Sequence, residues 1–268
     1  PATPSPPGSG ARSDYLALAH RFRQPAMLST SALSKRYGDH LALDLGDLRV
    51  EAGERVGLVG NNGAGKTTLL RLALDLIRPT TGHVELAGVR VGGRDEAWKA
   101  QVGAFLDARF LVDYLRPREY FRFVTGAYGV SAADCDARLA RFERFLGPAL
   151  EAGLIRDLSL GNAAKVGIVG AMLPEPDLIV LDEPFANLDP GARIALEALL
   201  REESERRGAT VLVSSHDLDH IVGVCSRVLV LADGRLVRDT PSTAATRAEL
   251  REFFARGGLA TDGLALVA

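Results

Sequence analysis

Between Met27 and about Thr240 the chain alternates short, nearly unbroken apolar runs with longer stretches whose apolar residues recur every three to four positions. The clearest runs are RVGLV (55–59), DLIVLD (177–182), TVLVSS (210–215) and RVLVLA (227–232). A run that is apolar at every position suits a strand of a largely parallel sheet covered on both faces, because a half-exposed strand would alternate. KTTLLRLALDLI, following Gly65, has the spacing of a helix with one buried stripe. The pattern predicts an α/β fold with a largely parallel sheet. Residues 108–173 break the alternation: PREYFRFVTGAYG, AADCDARLARFERFLG and GNAAKVGIVGAML are helix-forming and contain no convincing strand. An inserted α-helical subdomain is expected there. No internal repeat and no coiled-coil heptad pattern is found.

Both ends change character. Residues 1–10, PATPSPPGSG, carry no apolar pattern and are expected to be disordered. Tyr15, Leu18, Ala19 and Phe22 then share one helical face, with Arg12, Arg21 and Arg23 adding positive charge. Residues 1–26 thus read as an extension with a short amphipathic helix. Folding onto its own domain, or remaining frayed, is favoured over docking to a membrane surface or a partner. Residues 241–268 read as one helix, STAATRAELREFFARGG, and a mildly apolar end whose role the sequence leaves open.

Composition narrows the class. With 47% hydrophobic and 25% charged residues, the 268-residue chain can bury a core. A net charge of −2 supplies no broad basic surface, so no nucleic-acid partner is expected. The longest apolar stretches, such as VGIVGAML (166–173), fall far short of the roughly 18 residues a membrane span needs. No basic-then-apolar leader is visible. Cys135 and Cys225 are too isolated for a disulfide framework or a zinc site. A reducing, cytosolic setting is the expectation.

The chemistry is concentrated in two short stretches. LVGNNGAGKTTLL (58–70) fits G-x-x-x-x-G-K-[ST] with Gly60, Gly63, Gly65, Lys66 and Thr67 in place; Asn61, Asn62, Ala64 and Thr68 complete the loop. Lying between an expected strand and an expected helix, such a loop turns its backbone N–H groups onto phosphate oxygens. Lys66 then reaches the β- and γ-phosphates and the Thr67 hydroxyl ligates Mg²⁺. DLIVLDEP (177–184) supplies the other half. Asp182 at the strand end holds Mg²⁺, directly or through water, and Glu183 polarises an attacking water as general base. VLVSSHD places His216 at the end of a further β-run, within reach of a γ-phosphate.

These elements, in this order, resemble the nucleotide-binding domain of the ATP-binding cassette (ABC) family over roughly residues 28–240. The resemblance implies a P-loop NTPase core with an antiparallel β part near the N-terminus, spanning residues 27–240 with the helical subdomain at about 108–173. It implies that Tyr37 in SKRYGDHLAL stacks on adenine. The absence of an N-K-x-D guanine motif also favours ATP over GTP. Asp189 of NLDP resembles the family's D-loop, and His216 matches its switch histidine.

Two departures stand out. The usual L-S-G-G-Q signature is here LSLGN (158–162), retaining Ser159 and Gly161 but carrying Leu160 and Asn162. The site's task, offering a hydroxyl and helix N-terminal N–H groups to a γ-phosphate on the opposite subunit, survives if Leu160 avoids positive φ. In VGAFLDARF, Asp107 occupies the place of the family's magnesium-touching glutamine, while Gln101 lies too early. Asp107 then either holds a hydrated Mg²⁺ or is a loop acid that touches nothing. Both departures look like the exporter ATPases related to bacitracin and lantibiotic resistance.

The resemblance implies ATP and Mg²⁺ as cofactors. It also implies a head-to-tail dimer, with a homodimer favoured over a heterodimer, and a separate transmembrane permease chain that holds the protein at the cytoplasmic face of the membrane. The helical subdomain, around residues 108–130, would form the groove for the permease's coupling helix. LVDYLRPREYF (111–121) presents aromatic and basic groups suited to that contact, although packing on its own core explains Tyr120 and Phe121 equally well. The alternative is a soluble or regulatory ABC ATPase not coupled to transport. The long coiled coils of the DNA-repair clamps and the two cassettes of the translation factors are both missing from this sequence.

Overall fold

The computed structural model describes residues 26–255. The helix expected on Tyr15–Phe22 and the apolar end after Gly258 lie outside the described residues.

Among the described residues, ten strands form one mixed sheet. In chain order they are β1 (Leu28–Tyr37), β2 (His40–Val50), β3 (Arg55–Val59), β4 (Thr81–Leu86), β5 (Val89–Arg90), β6 (Val102–Phe105), β7 (Leu178–Leu181), β8 (Thr210–Ser215), β9 (Arg227–Ala232) and β10 (Arg235–Pro241). Their spatial order is β5-β4-β1-β2-β10-β9-β3-β8-β7-β6. β6, β7, β8, β3 and β9 are mutually parallel. The β1–β2, β1–β4, β4–β5 and β9–β10 pairs are antiparallel. A parallel core with an antiparallel wing built largely from the N-terminal strands is therefore the architecture.

The unbroken apolar runs are explained by two cores, one on each face of the sheet. Successive side chains point to opposite faces. Accordingly Ile179, Leu181, Val211, Val213, Val228 and Val230 enter one cluster, and Leu178, Val180, Leu212, Leu229 and Leu231 enter the other. Helix α1 (Lys66–Ala73) covers the second core through Leu69, Leu70, Leu72 and Ala73.

Between β6 and β7 the chain forms α2 (Pro117–Ala127), α3 (Ala132–Leu139), α4 (Glu143–Leu146) and α5 (Leu160–Met172), joined by 3₁₀ turns. The VGIVGAML run is the buried end of α5. From Val166 to Met172 every residue is buried, the mark of a helix surrounded by protein. Helix α6 (Pro190–Arg207) follows β7, α7 (Leu218–Val224) follows β8, and α8 (Ala244–Ala255) packs on α7. Among the described residues, no helix is long and apolar enough to cross a membrane.

Candidate nucleotide site

The loop between β3 and α1 is shaped by its glycines. Gly65, the residue before α1, has φ +101°, and a Cβ there would stand 2.9 Å from the Ala42 carbonyl oxygen. A side chain would be strained by the backbone and crowded by β2, so glycine is the residue that fits. Asn61, Asn62 and Gly63 are exposed at the loop's crest, while Gly60 and Ala64 are buried and Thr67 and Thr68 half-buried. Lys66 is only 5% exposed. Its Nζ donates to the Gly60 carbonyl at 2.5 Å and to the Asn61 carbonyl at 3.3 Å, drawing the amine back across the loop.

Two strand ends meet this loop. Thr67 Oγ1 donates to Asp182 Oδ2 at 2.6 Å. The neighbouring strand supplies Ser214, which sequence reasoning missed. Its fully buried hydroxyl donates to Asp182 Oδ1 and accepts the Glu183 N–H at 2.9 Å. Glu183 has φ +48°, a left-handed conformation that costs a non-glycine residue about 1–3 kcal/mol and that surrounding contacts must enforce. Its side chain reaches both other candidate groups. Oε1 lies 3.3 Å from Lys66 Nζ, while Oε2 lies 2.8 Å from His216 Nδ1 and accepts the His216 N–H at 3.2 Å. Lys66, Thr67, Asp182, Glu183 and His216 therefore converge on one place.

These residues suit a Mg²⁺–nucleoside triphosphate. Thr67 and Asp182 present two hard oxygen donors side by side. Mg²⁺ is commonly held by one or two such protein oxygens, the rest of its shell coming from phosphates and water. Glu183 Oε1 is a buried carboxylate oxygen with no aligned hydrogen-bond donor, so it retains the capacity to accept a proton from a positioned water. Lys66 can contribute charge to phosphate oxygens, and Mg²⁺, when bound, neutralises phosphate charge.

Asp107 makes no side-chain hydrogen bond to this cluster, although the Asp182 N–H donates to the carbonyl of Phe105, two residues before it, at 2.9 Å. It lies two residues beyond β6, where its Oδ1 accepts the Arg109 N–H at 2.8 Å. Its Oδ2 accepts from Arg109 Nε and Nη2 at 2.9 and 2.7 Å. These bonds hold the carboxyl below its ordinary value, and no hydrogen bond joins it to Thr67 or Asp182.

Ser159, Gly161 and Asp189 form a second cluster, with no hydrogen bond or ion pair to the loop among the described residues. Ser159 precedes α5 and its Oγ accepts the Asn162 N–H at 3.3 Å. Leu160 opens the helix in right-handed conformation with its side chain 71% exposed. Gly161 packs against the backbone of Asn187. Asp189 caps α6, accepting the Ala192 N–H at 2.9 Å, and lies 3.5 Å from Lys165 Nζ. The Ala192 bond, chiefly, holds its carboxyl below the usual value.

Tyr37 stands at the turn of the β1–β2 hairpin, opposite His40, with 49% of its surface exposed. Ala42, two residues further along β2, lies against Gly65, so Tyr37 belongs to the edge that carries the phosphate loop. Lys35 Nζ sits 5.0 Å from the tyrosine ring centroid.

Fold and site together define a P-loop ATPase of the cassette type. The model of the ABC transporter family matches residues 43–186. An ABC transporter ATP-binding protein of Streptomyces coelicolor is 37% identical over 224 residues, covering 82% of this chain and 85% of its own. A Nod factor export ATP-binding protein of Cupriavidus metallidurans is 32% identical, covering 80% and 71%. A phosphonates import ATP-binding protein of Natronomonas pharaonis is 35% identical, covering 85% and 99%. Among solved structures, an ATP-binding subunit of an ABC transporter superposes with TM-score 0.74 at 32% identity, covering 86% of this chain and 95% of its own. The chain belongs to the ABC transporter family, binds ATP and is an ATPase subunit of a transporter.

Proposed function

We propose that this subunit drives an exporter. Two copies close head to tail around two ATP–Mg²⁺, and hydrolysis reopens them, moving a separate permease chain at the cytoplasmic face of the membrane. The observation that carries the shared-site reading is that, among the described residues, no hydrogen bond or ion pair links the two clusters. Lys66, Thr67, Asp182, Glu183 and His216 converge, while Ser159 at its helix tip and Asp189 belong to the second, with Leu160 exposed beside them. A γ-phosphate on one loop would then receive the serine hydroxyl and helix N-terminus of the other copy.

In the closed site Glu183 accepts the proton of the attacking water, His216 fixes that carboxylate, and Lys66 stabilises the charge on the transferred group. Tyr37 offers its face to adenine. Export, rather than import, rests on the S-L-G signature and Asp107, since the relatives comprise both directions. Permease docking is supported by an apolar cavity of about 370 Å³ lined by Leu74, Leu76, Trp98, Val102, Phe110 and Tyr128. Leu76, Phe110 and the nearby Tyr114 are exposed.

The decisive experiment mixes two inactive variants, Lys66→Ala and Ser159→Arg. In a shared site the mixed dimer regains one intact centre, so turnover returns on mixing. Continued silence of the mixture, with both variants folded and dimerising, would remove the shared-site reading. Co-purification of a spanning polypeptide from detergent-solubilised membranes tests the transport assignment, and a chain recovered alone would favour an uncoupled ATPase.

A further inference from the structure

One histidine beside the candidate site has no part in the chemistry above. His220 lies in α7, one turn beyond His216, and its surroundings fix it on three sides. Its ring stacks on Phe185 with centroids 4.8 Å apart and planes 19° from parallel. Nδ1 stands 3.1 Å from Glu197 Oε1, and Nε2 stands 3.5 Å from Asp217 Oδ2.

Each contact belongs to a different part of the machinery. Phe185 is buried in the turn that begins at Glu183, a turn closed by the Ala186 N–H on the Glu183 carbonyl at 3.2 Å. Asp217 adjoins His216 and caps α7 by accepting the Asp219 N–H at 2.9 Å. Glu197 lies two turns into α6, the helix that Asp189 caps, and its other oxygen occupies a niche left by Gly223, where a Cβ would stand 3.3 Å away. A ring stacked on one face and flanked by carboxylate at both nitrogens retains little freedom to turn.

The geometry points to His220 as a positioning residue, setting the Glu183 turn and the His216 segment in register and tying both to α6. Glu183 needs such support because its left-handed backbone is held only by its surroundings. The consequence is catalytic because misplacement of a reacting group by about 1 Å can cost as much as 10²-fold in rate. This inference rests on Glu183 acting as the base and His216 as its partner.

The test uses the full chain with Mg²⁺–ATP and two readouts: turnover, and the imidazole NMR signals. Five histidines make those signals assignable by substitution. In His220→Ala, kcat is expected to fall about tenfold or more with KM for ATP unchanged. The His216 signal should move toward its position in Glu183→Gln. His220→Gln, which keeps a donor for Glu197, should recover part of the turnover. Should His220→Ala not fold, Glu197→Ala breaks the same tie while leaving the ring in place and carries the same expectation. A folded variant with wild-type kcat and an unmoved His216 signal overturns the inference. Full turnover in Glu183→Gln would instead overturn the base assignment, leaving the His216 signal to report on positioning alone.

Discussion

Gly161 and Asn187 meet backbone to backbone: a Cβ on Gly161 would stand 2.5 Å from the Asn187 carbonyl oxygen. The tip of α5, which bears Ser159, is thereby set against the segment that leads into Asp189. No side chain fits that gap without moving one of the two. Gly161→Ala is expected to displace Ser159 from Asp189 and to lower ATP turnover by about tenfold or more, since small misplacements at a reacting centre are costly. Nucleotide binding to the Lys66 loop of the isolated chain should be unchanged. Turnover and fluorescent-nucleotide binding measured on the same preparation separate the two effects.

Ser214 is the hinge between Asp182 and Glu183. Its hydroxyl uses both of its hydrogen-bonding capacities there, and it is fully buried. Ser214→Ala strands the Glu183 N–H and removes a donor from Asp182. The expected loss is about 1–3 kcal/mol of stability, the usual cost of an unsatisfied buried group. Urea unfolding measures this, and a fall in kcat should accompany it. Ser214→Thr keeps the hydroxyl and should restore much of the activity.

What the sequence showed and what it hid follow from the range of the forces involved. The parallel strands were legible because burial on both faces requires residues such as Leu178–Leu181 to be apolar without a break. The phosphate loop was legible because its backbone geometry demands glycine at fixed spacing. Ser214 was invisible because a serine ending an apolar strand looks like ordinary edge polarity; only the pairing of Leu181 with Val213 places it beside Asp182. Arg109 taking the carboxylate of Asp107 was hidden too, since both lie in a short turn with no periodicity to read. The antiparallel wing came from family resemblance rather than pattern, and the left-handed Glu183 leaves no trace in composition.

Glu203 poses a stability question away from the site. It is fully buried in α6 and its carboxylate is gripped by Arg141 and by Arg207 Nε, the latter at 2.6 Å. Arg141 comes from the helical segment between β6 and β7, so the contact fastens that segment to α6. Removing one member of a buried ionic cluster leaves uncompensated charge and commonly costs 3–5 kcal/mol. Water can reach part of both arginines, so Glu203→Ala is expected to cost about 3 kcal/mol, measured by urea unfolding. Adding Arg141→Met and Arg207→Met should recover part of that loss, because the two arginine charges that faced Glu203 are removed while Arg206 stays paired with Glu175. A triple variant as weak as the single one would contradict this account.

Asp219 fastens α8 and gives that attachment a pH dependence. Its carboxylate lies 2.8 Å from Arg247 Nη2 and 2.5 Å from Arg251 Nη2. The hydrogen bond from Arg251 is the chief reason its carboxyl is held below the ordinary value; burial opposes it, and Arg247 adds to the lowering. A carboxyl lowered in the folded state stabilises at pH above its unfolded value, and the stabilisation is lost as pH falls through the lowered folded value. Docking of α8 should therefore be constant from neutral pH down to about pH 5 and weaken below the ordinary aspartate value of about 3.9. The pairs are exposed, so salt should weaken them at every pH. Hydrogen exchange of the α8 amides checks both statements, and Asp219→Asn at neutral pH should reproduce the acid behaviour. Exchange that is as slow in Asp219→Asn as in the parent would show that Phe253 and Phe254, packed against the core, hold the helix without the ion pairs.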